Sequence, residues 1–245
     1  KQKIYKKEYY NSGNLKREGL YIKDSIPVDT IRNYYENGIL ELLEVRDDSG
    51  YYNGLMKYYY DNGVLEELTP YKNNLQQGFN ITFYKNGNLK SRGFWYKGVE
   101  VGDQYFYDSI SGNVSLYNFR NYQGTISLVQ YNPYSTKITK DVRPWILIDT
   151  TQKISTKNTD EYSYNILLFI SNPPHCISKV ILKYQSKNNT IIDSTIIENA
   201  PYFFLSKILN DSVKKIAFTT IQYDSLVKEN IYQENGMQLD SIKSF

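Results

Sequence analysis

Short runs of alternating apolar and polar residues, each closed by a turn dipeptide, fill the first half of the chain, and one such pattern recurs. It reads Tyr35-Glu36-Asn37-Gly38-Ile39-Leu40, Tyr60-Asp61-Asn62-Gly63-Val64-Leu65 and Tyr84-Lys85-Asn86-Gly87-Asn88-Leu89. A first copy is Tyr10-Asn11-Ser12-Gly13-Asn14-Leu15, and a looser last one runs from Tyr107 to Val114 around Gly112. The glycines stand at 13, 38, 63, 87 and 112, a fixed period of 24 or 25 residues, which marks a repeat architecture. Asn-Gly between two β-rich runs is a strong hairpin signal and predicts a type I′ turn, with positive φ at both central residues. The incoming strand of each hairpin carries an aromatic pair (Tyr9-Tyr10, Tyr34-Tyr35, Tyr59-Tyr60, Phe83-Tyr84, Phe106-Tyr107) and the outgoing strand a Leu at a fixed offset. Neighbours on a strand face opposite sides. One aromatic of each pair is therefore expected in a stripe with the leucines, the other on the opposite face.

Asn53-Gly54, Gln77-Gly78 and Val101-Gly102 are expected to mark the joints between hairpins, with Asp29 at the matching place in an earlier repeat. About ten short strands then follow in meander order, forming an elongated single sheet with no deep core and with stability close to a sum of repeat and neighbour terms. After Asn132-Pro133-Tyr134-Ser135-Thr136 the rhythm changes. Strand-like runs at Trp145–Asp149, Tyr164–Ser171, Lys179–Gln185, Thr190–Glu198, Tyr202–Lys207, Lys215–Tyr223 and Val227–Gln233 are separated by turn residues. Seven such runs predict a β-sandwich. Ile216, Phe218 and Thr220 alternate with Ala217, Thr219 and Ile221, as on a half-buried strand, and Trp145 is a candidate core anchor. The expected fold class is all-β: an antiparallel meander sheet of about five hairpin repeats over 1–124, then a β-sandwich over 125–245.

Composition agrees. Tyrosine is the outlier, with 26 residues of 245, and it favours strands while keeping its hydroxyl wet. The net charge of +3 is spread almost evenly over the two halves, so no basic field draws nucleic acid or anionic lipid. Lys1, Lys3, Lys6 and Lys7 form the one local basic run, read as a solvated end. Cys176 is the single cysteine, which excludes an intrachain disulfide and a Cys-Cys zinc spacing. No stretch approaches the roughly 18 apolar residues of a spanning helix. The sequence opens on Lys rather than Met, so an export signal could have been removed.

The pattern Phe/Tyr-Tyr-Xaa-Asn-Gly-Xaa-Leu at this period resembles the variant MORN repeat over about residues 5–122. The resemblance implies a twisted β-sheet used as a binding or spacer surface, with no catalytic residues to transfer. Proteins of this kind are often labelled antitoxin components of toxin–antitoxin systems, and classical MORN repeats have been linked to phospholipid and protein binding. The second half resembles an immunoglobulin or fibronectin type III module in size and rhythm, without the Cys-Trp-Cys signature.

Candidate chemistry is sparse. His175 and Cys176 are adjacent, but neighbouring side chains in an extended chain point apart, whereas a catalytic pair must face each other. Asp47-Asp48-Ser49-Gly50 lacks the spaced ligands and closing Glu of a calcium loop. Glu66 and Glu67 lie on opposite faces of a strand, not across a cleft. No phosphate loop, nucleophile elbow or dinucleotide fingerprint occurs. We therefore expect no enzyme, no catalytic or metal residue and no cofactor, with an enzyme site between the halves as the last alternative. Partner-binding aromatics are expected at Tyr51, Tyr52, Tyr58, Tyr71, Trp95 and Tyr96, with sheet packing as the competing role. The expected partner is another protein. Alternatives are a glycan, or a toxin bound by an intracellular antitoxin-like protein; nucleic acid is disfavoured. A cell-envelope or secreted setting is favoured slightly over the cytoplasm.

Overall fold

The computed structural model describes residues 2–23, 25–121, 124–130, 146–155, 161–198, 200, 202–210, 212–225 and 229–238. All regular elements among them are strands: β1 Lys3–Tyr9, β2 Leu15–Ile22, β3 Ile26–Tyr34, β4 Leu40–Arg46, β5 Gly54–Tyr59, β6 Leu65–Lys72, β7 Leu75–Gln76, β8 Gly78–Phe83, β9 Leu89–Tyr96, β10 Val99–Tyr107, β11 Val114–Asn121, β12 Gly124–Gln130, β13 Ile146–Ser155, β14 Glu161–Ile170, β15 Cys176–Gln185, β16 Ile191–Glu198, β17 Tyr202–Asn210, β18 Lys215–Asp224 and β19 Glu229–Gln238. β1 to β12 form one antiparallel sheet in chain order, with the short β7 paired beside β6. The chain divides into two compact units, one holding Lys1–Leu116 and the other Tyr117–Gln130 with the strands that follow.

The hairpin tips sit where the glycine period places them. Gly13, Gly38, Gly63, Gly87 and Gly112 all take positive φ, between 69° and 89°. The turn type differs from the expected one. In the second repeat the Gly38 amide donates to the Tyr35 carbonyl and the Tyr35 amide to the Ile39 carbonyl. Asn37 is absent from the residues with positive φ, so only Gly38 is left-handed. This is a three-residue loop, a type I turn closed by a glycine bulge. A second bulge shows as a register shift at the first aromatic of each pair, where Tyr9, Tyr34, Tyr59 and Phe83 oppose Leu15, Leu40, Leu65 and Leu89 and the residue after each leucine is the extra one. The physical reason lies in the asparagine. The Asn37 Oδ1 accepts the Ile39 amide at 3.0 Å, and Asn62 and Asn86 do the same for Val64 and Asn88. An Asx turn of this kind holds Asn in the right-handed conformation and leaves only the glycine to reverse the chain.

The joints also differ from expectation. Their tips lie at Gly50, at Asn73-Asn74 and at Lys97-Gly98, all with positive φ. Gly54, Gly78 and Gly102 stand four or five residues further on, inside or at the start of strands, and they and Asp29 take a positive φ. Asp29, at φ 64°, is left-handed like Gly102 at φ 72°, whereas Gly54 and Gly78 take the wider φ of 148° and 124°.

The second part is a sandwich of two antiparallel sheets, ordered β13-β14-β17 and β16-β15-β18-β19. Both contribute to one apolar core: Tyr164, Ile166, Leu168 and Ile170 of β14 and Leu205 and Leu209 of β17 pack with Val180, Leu182 and Tyr184 of β15, Ile197 of β16 and Ile216 and Phe218 of β18. Burial alternates along β15 and β18, with Ile216, Phe218, Thr220 and Gln222 inward, as the period-2 pattern predicts. All seven expected runs overlap these strands over most of their length, and β13 starts at Ile146, so Trp145 lies outside the described residues.

Candidate functional site

The repeated tyrosine and asparagine bind the neighbouring repeat. Tyr10 donates its hydroxyl to the Tyr34 carbonyl at 2.7 Å, Tyr35 to Tyr59 at 2.7 Å, Tyr60 to Phe83 at 2.9 Å and Tyr84 to Tyr107 at 2.8 Å. A second bond runs beside each: Asn14 Nδ2 donates to the Glu36 carbonyl, Asn37 to Asp61, Asn62 to Lys85 and Asn86 to Ser109, at 2.8 to 3.3 Å. In the first repeat Ser12 replaces the asparagine, and Asn14, two residues on, supplies the amide instead. The motif is thus a two-point staple along the row of hairpin tips. A single sheet needs one, since its neighbours share little apolar volume.

The strand registers set out the two faces. Directly opposed residues share a face, and one row runs Arg17, Asn33, Leu42, Tyr58, Glu67, Thr82, Ser91 across successive strands. On the same face lie Glu44, Arg46, Tyr52, Thr69, Tyr71 and Trp95, placed by pairings such as Arg46 with Tyr52 and Gly78 with Trp95. Four of the six expected aromatics, Tyr52, Tyr58, Tyr71 and Trp95, therefore share one face. Tyr96 follows Trp95 and lies on the other, with Lys97 over its ring at 4.9 Å. Tyr51 closes the Asp47–Gly50 turn, where its amide bonds to Asp47 Oδ1 at 3.1 Å, and its side chain is exposed.

The centre of this face is polar and bonded within itself, with Arg17 Nε the one buried atom of the network that lacks a partner among the described residues. Glu44 is buried, and its carboxylate takes Arg46 at 2.5 and 2.8 Å, Asn33 at 3.0 Å and Arg17 at 3.4 Å. Glu67 takes the Thr69 hydroxyl at 2.5 Å and the Asn80 amide at 2.6 Å. The Arg46 guanidinium lies 3.9 Å from the centre of the Tyr52 ring, and Tyr52 meets Tyr71 at 5.5 Å with a 47° tilt. Burial, followed by the neighbouring tyrosines and carboxylates, pushes the Tyr58 phenol up to about 12. On the opposite face, burial and a hydrogen bond to Glu18 raise Tyr34 to about 12, and the bonds from Tyr34 and Tyr5 hold the Glu18 carboxyl below its usual range.

These hairpins have a known counterpart. The MORN repeat variant family matches residues 5–23 and 52–73. The matched segments hold the first and third hairpins, and the hairpins at Gly38 and Gly87 repeat their bonding. Variant MORN repeats commonly serve in binding or scaffolding. No curated protein matches the chain.

Of the residues weighed for chemistry, His175 and Asp47 lie in turns. His175 takes a φ of 67° in a turn closed by the Cys176 amide on the Pro173 carbonyl, and its own carbonyl accepts the Ser225 amide and hydroxyl. Asp47 Oδ1 caps its turn by accepting the Ser49 and Tyr51 amides. Among the described residues no cluster of His, Cys, Asp and Glu is arranged to hold a metal ion, and no helix is long and apolar enough to cross a membrane. Sequence reasoning missed the staple and the Glu44 network. The fixed offset from Tyr to Asn held the signal for the first. Nothing local marked the second, because its members come from three strands.

Proposed function

We propose that the repeat sheet is a non-catalytic binding module whose polar-aromatic face, centred on Arg46, Tyr52, Tyr58 and Tyr71, docks another protein. The stacking of Arg46 on Tyr52 carries this reading. It combines two residue types that dominate protein interfaces, held rigid by the Glu44 network. The same contact argues against the glycan alternative, since the guanidinium covers one side of a ring that a sugar would need. The proposal includes a two-domain chain, with repeats over 1–124 and an immunoglobulin-like domain over 125–245. The order β13-β14-β17 and β16-β15-β18-β19 supports that likeness, because strands three, six and seven of the sandwich share a sheet, as strands C, F and G do in immunoglobulin domains. A cell-envelope setting belongs to the same proposal, and a toxin met in the cytoplasm is the competing partner. Fractionation of the host cell separates the two settings.

The test is site-specific photo-crosslinking in the native host. A photoreactive aromatic at position 58 or 71 is expected to capture one defined protein that the same residue at position 96, on the other face, does not. Equal capture from both faces, or hits on a glycan array that disappear in Tyr58→Ala, would overturn the proposal.

A further inference from the structure

Three Asn-Gly pairs sit at stapled hairpin tips: Asn37-Gly38, Asn62-Gly63 and Asn86-Gly87. Asn-Gly is the dipeptide most open to deamidation, because glycine sets no side chain in the way of its own amide nitrogen. That nitrogen attacks the asparagine Cγ, the Cγ–Nδ2 bond breaks, and ammonia departs to leave a cyclic succinimide. Water then opens the ring to aspartate or isoaspartate, with no oxidant or reductant needed. All three asparagines are exposed, so water reaches them. Bonding is what holds them back. Asn37 Oδ1 accepts the Ile39 amide, its Nδ2 donates to the Asp61 carbonyl, and the attacking Gly38 amide donates to the Tyr35 carbonyl at 2.9 Å. The same three bonds hold Asn62 and Asn86, with Gly63 on Tyr60 and Gly87 on Tyr84. Asn53-Gly54 is the contrast: Asn53 is exposed, and among the described residues no bond holds its side chain.

We infer that the stapled tips are latent deamidation sites, shielded by the very bonds that deamidation destroys. The reaction needs the tip to open, and its product has no Nδ2 hydrogen to donate, so a junction that opens and reacts cannot close again. The three sites differ in what the new carboxylate meets. At position 37 it faces Asp61, itself an acid. At position 62 it faces Lys85, whose ammonium lies 2.5 Å from Asp61 and offers an opposite charge. At position 86 the Ser109 carbonyl keeps a second donor, Asn88 Nδ2 at 2.9 Å. Asn37 is therefore the site where deamidation severs a junction outright. The first junction lacks this weakness. Its amide comes from Asn14, which precedes Leu15 rather than glycine, and Ser12 stands before Gly13. The inference rests on the staple geometry alone and does not depend on the polar-aromatic face or its partner.

The test is peptide mapping by mass spectrometry of the folded full chain, aged at mildly alkaline pH in heavy-oxygen water, whose label enters when the succinimide opens. Asn53 is expected to convert first, with Asn37, Asn62 and Asn86 well behind it. In guanidinium chloride all four should convert at similar rates. Tyr35→Phe removes the hydroxyl bond of the same junction and should speed conversion at Asn37 about 5-fold, the worth of one neutral hydrogen bond. Unchanged rates at Asn53 and Asn86 in that variant show that the fold is kept. Asn37→Asp should lower the denaturation midpoint of the sheet most, and Asn86→Asp least. Tips that convert as fast as Asn53 in the folded chain, a Tyr35→Phe variant with no rise at Asn37 or an equal rise at every site, or an Asn37→Asp chain as stable as the parent would overturn the inference.

Discussion

The repeat sheet and the sandwich are both antiparallel β-structure, yet they hold together by different means. In the sandwich, twelve buried side chains from the two sheets and Val213 between β17 and β18 form one apolar cluster. In the repeat sheet the buried positions are scattered and often polar, among them Glu44, Thr69 and Asp103. Neighbouring repeats are joined there by hydroxyl and amide donors on backbone carbonyls. Losses in a shared core grow with the volume removed. Losses in a stapled sheet should come in equal small steps, one per junction.

The largest contrast is expected from a core truncation. Phe218 is 1 % exposed, and Phe218→Ala should cost about 3–5 kcal/mol in the sandwich. Hydrogen exchange would show β14, β15 and β18 losing protection while β2 to β6 keep theirs. A matching loss in the repeats would dissolve the comparison.

A turn substitution comes next. Gly38 has open space around it but a φ of 85°. Gly38→Ala should therefore cost about 1–2 kcal/mol through the left-handed backbone alone. Chemical denaturation checks this, and it should show no change in the sandwich. The converse holds at Asp29, which adopts a φ of 64° where later repeats use glycine. Asp29→Gly should stabilise the sheet by a few tenths to about 1 kcal/mol, the smallest effect of the mutational set and opposite in sign.

Alkaline pH should also separate the two regions. Tyr34 and Tyr58 are raised to about 12, so the folded repeat sheet holds protons that the unfolded chain releases near pH 10. Their contribution is complete below pH 10 and is lost as the pH rises through 12. Phenolate absorbance followed alongside hydrogen exchange should show the repeats loosening in that window. Tyr58→Phe should weaken the dependence.

Much of this was legible in the residues. The glycine period placed the tip of each repeated hairpin, because a left-handed residue at a tight turn leaves few choices of side chain. Alternation along Ile216 to Ile221 placed a core strand for the same local reason. The turn type was not legible, since Asn-Gly suits both a two-residue and a three-residue loop, and the asparagine bond to Ile39 decides between them. Gly54 and Gly78 read as joints but open strands instead, at places where a Cβ would meet Val45 and Pro70. The face-sharing of Tyr52, Tyr58, Tyr71 and Trp95 needed the registers, because one bulge moves a side chain to the other face. The staples needed the spacing between repeats, a distance that no single window of sequence contains.

The central claim is that the repeated tyrosine joins each repeat to the next. Urea denaturation of Tyr35→Phe, Tyr60→Phe and Tyr84→Phe, singly and together, tests it most directly. Each change removes one hydroxyl and keeps the ring, and each should cost about 1 kcal/mol. The sites are separate junctions, so the triple variant should lose about 3 kcal/mol by simple addition. Single and triple variants as stable as the parent would contradict the account and return these tyrosines to ordinary surface packing.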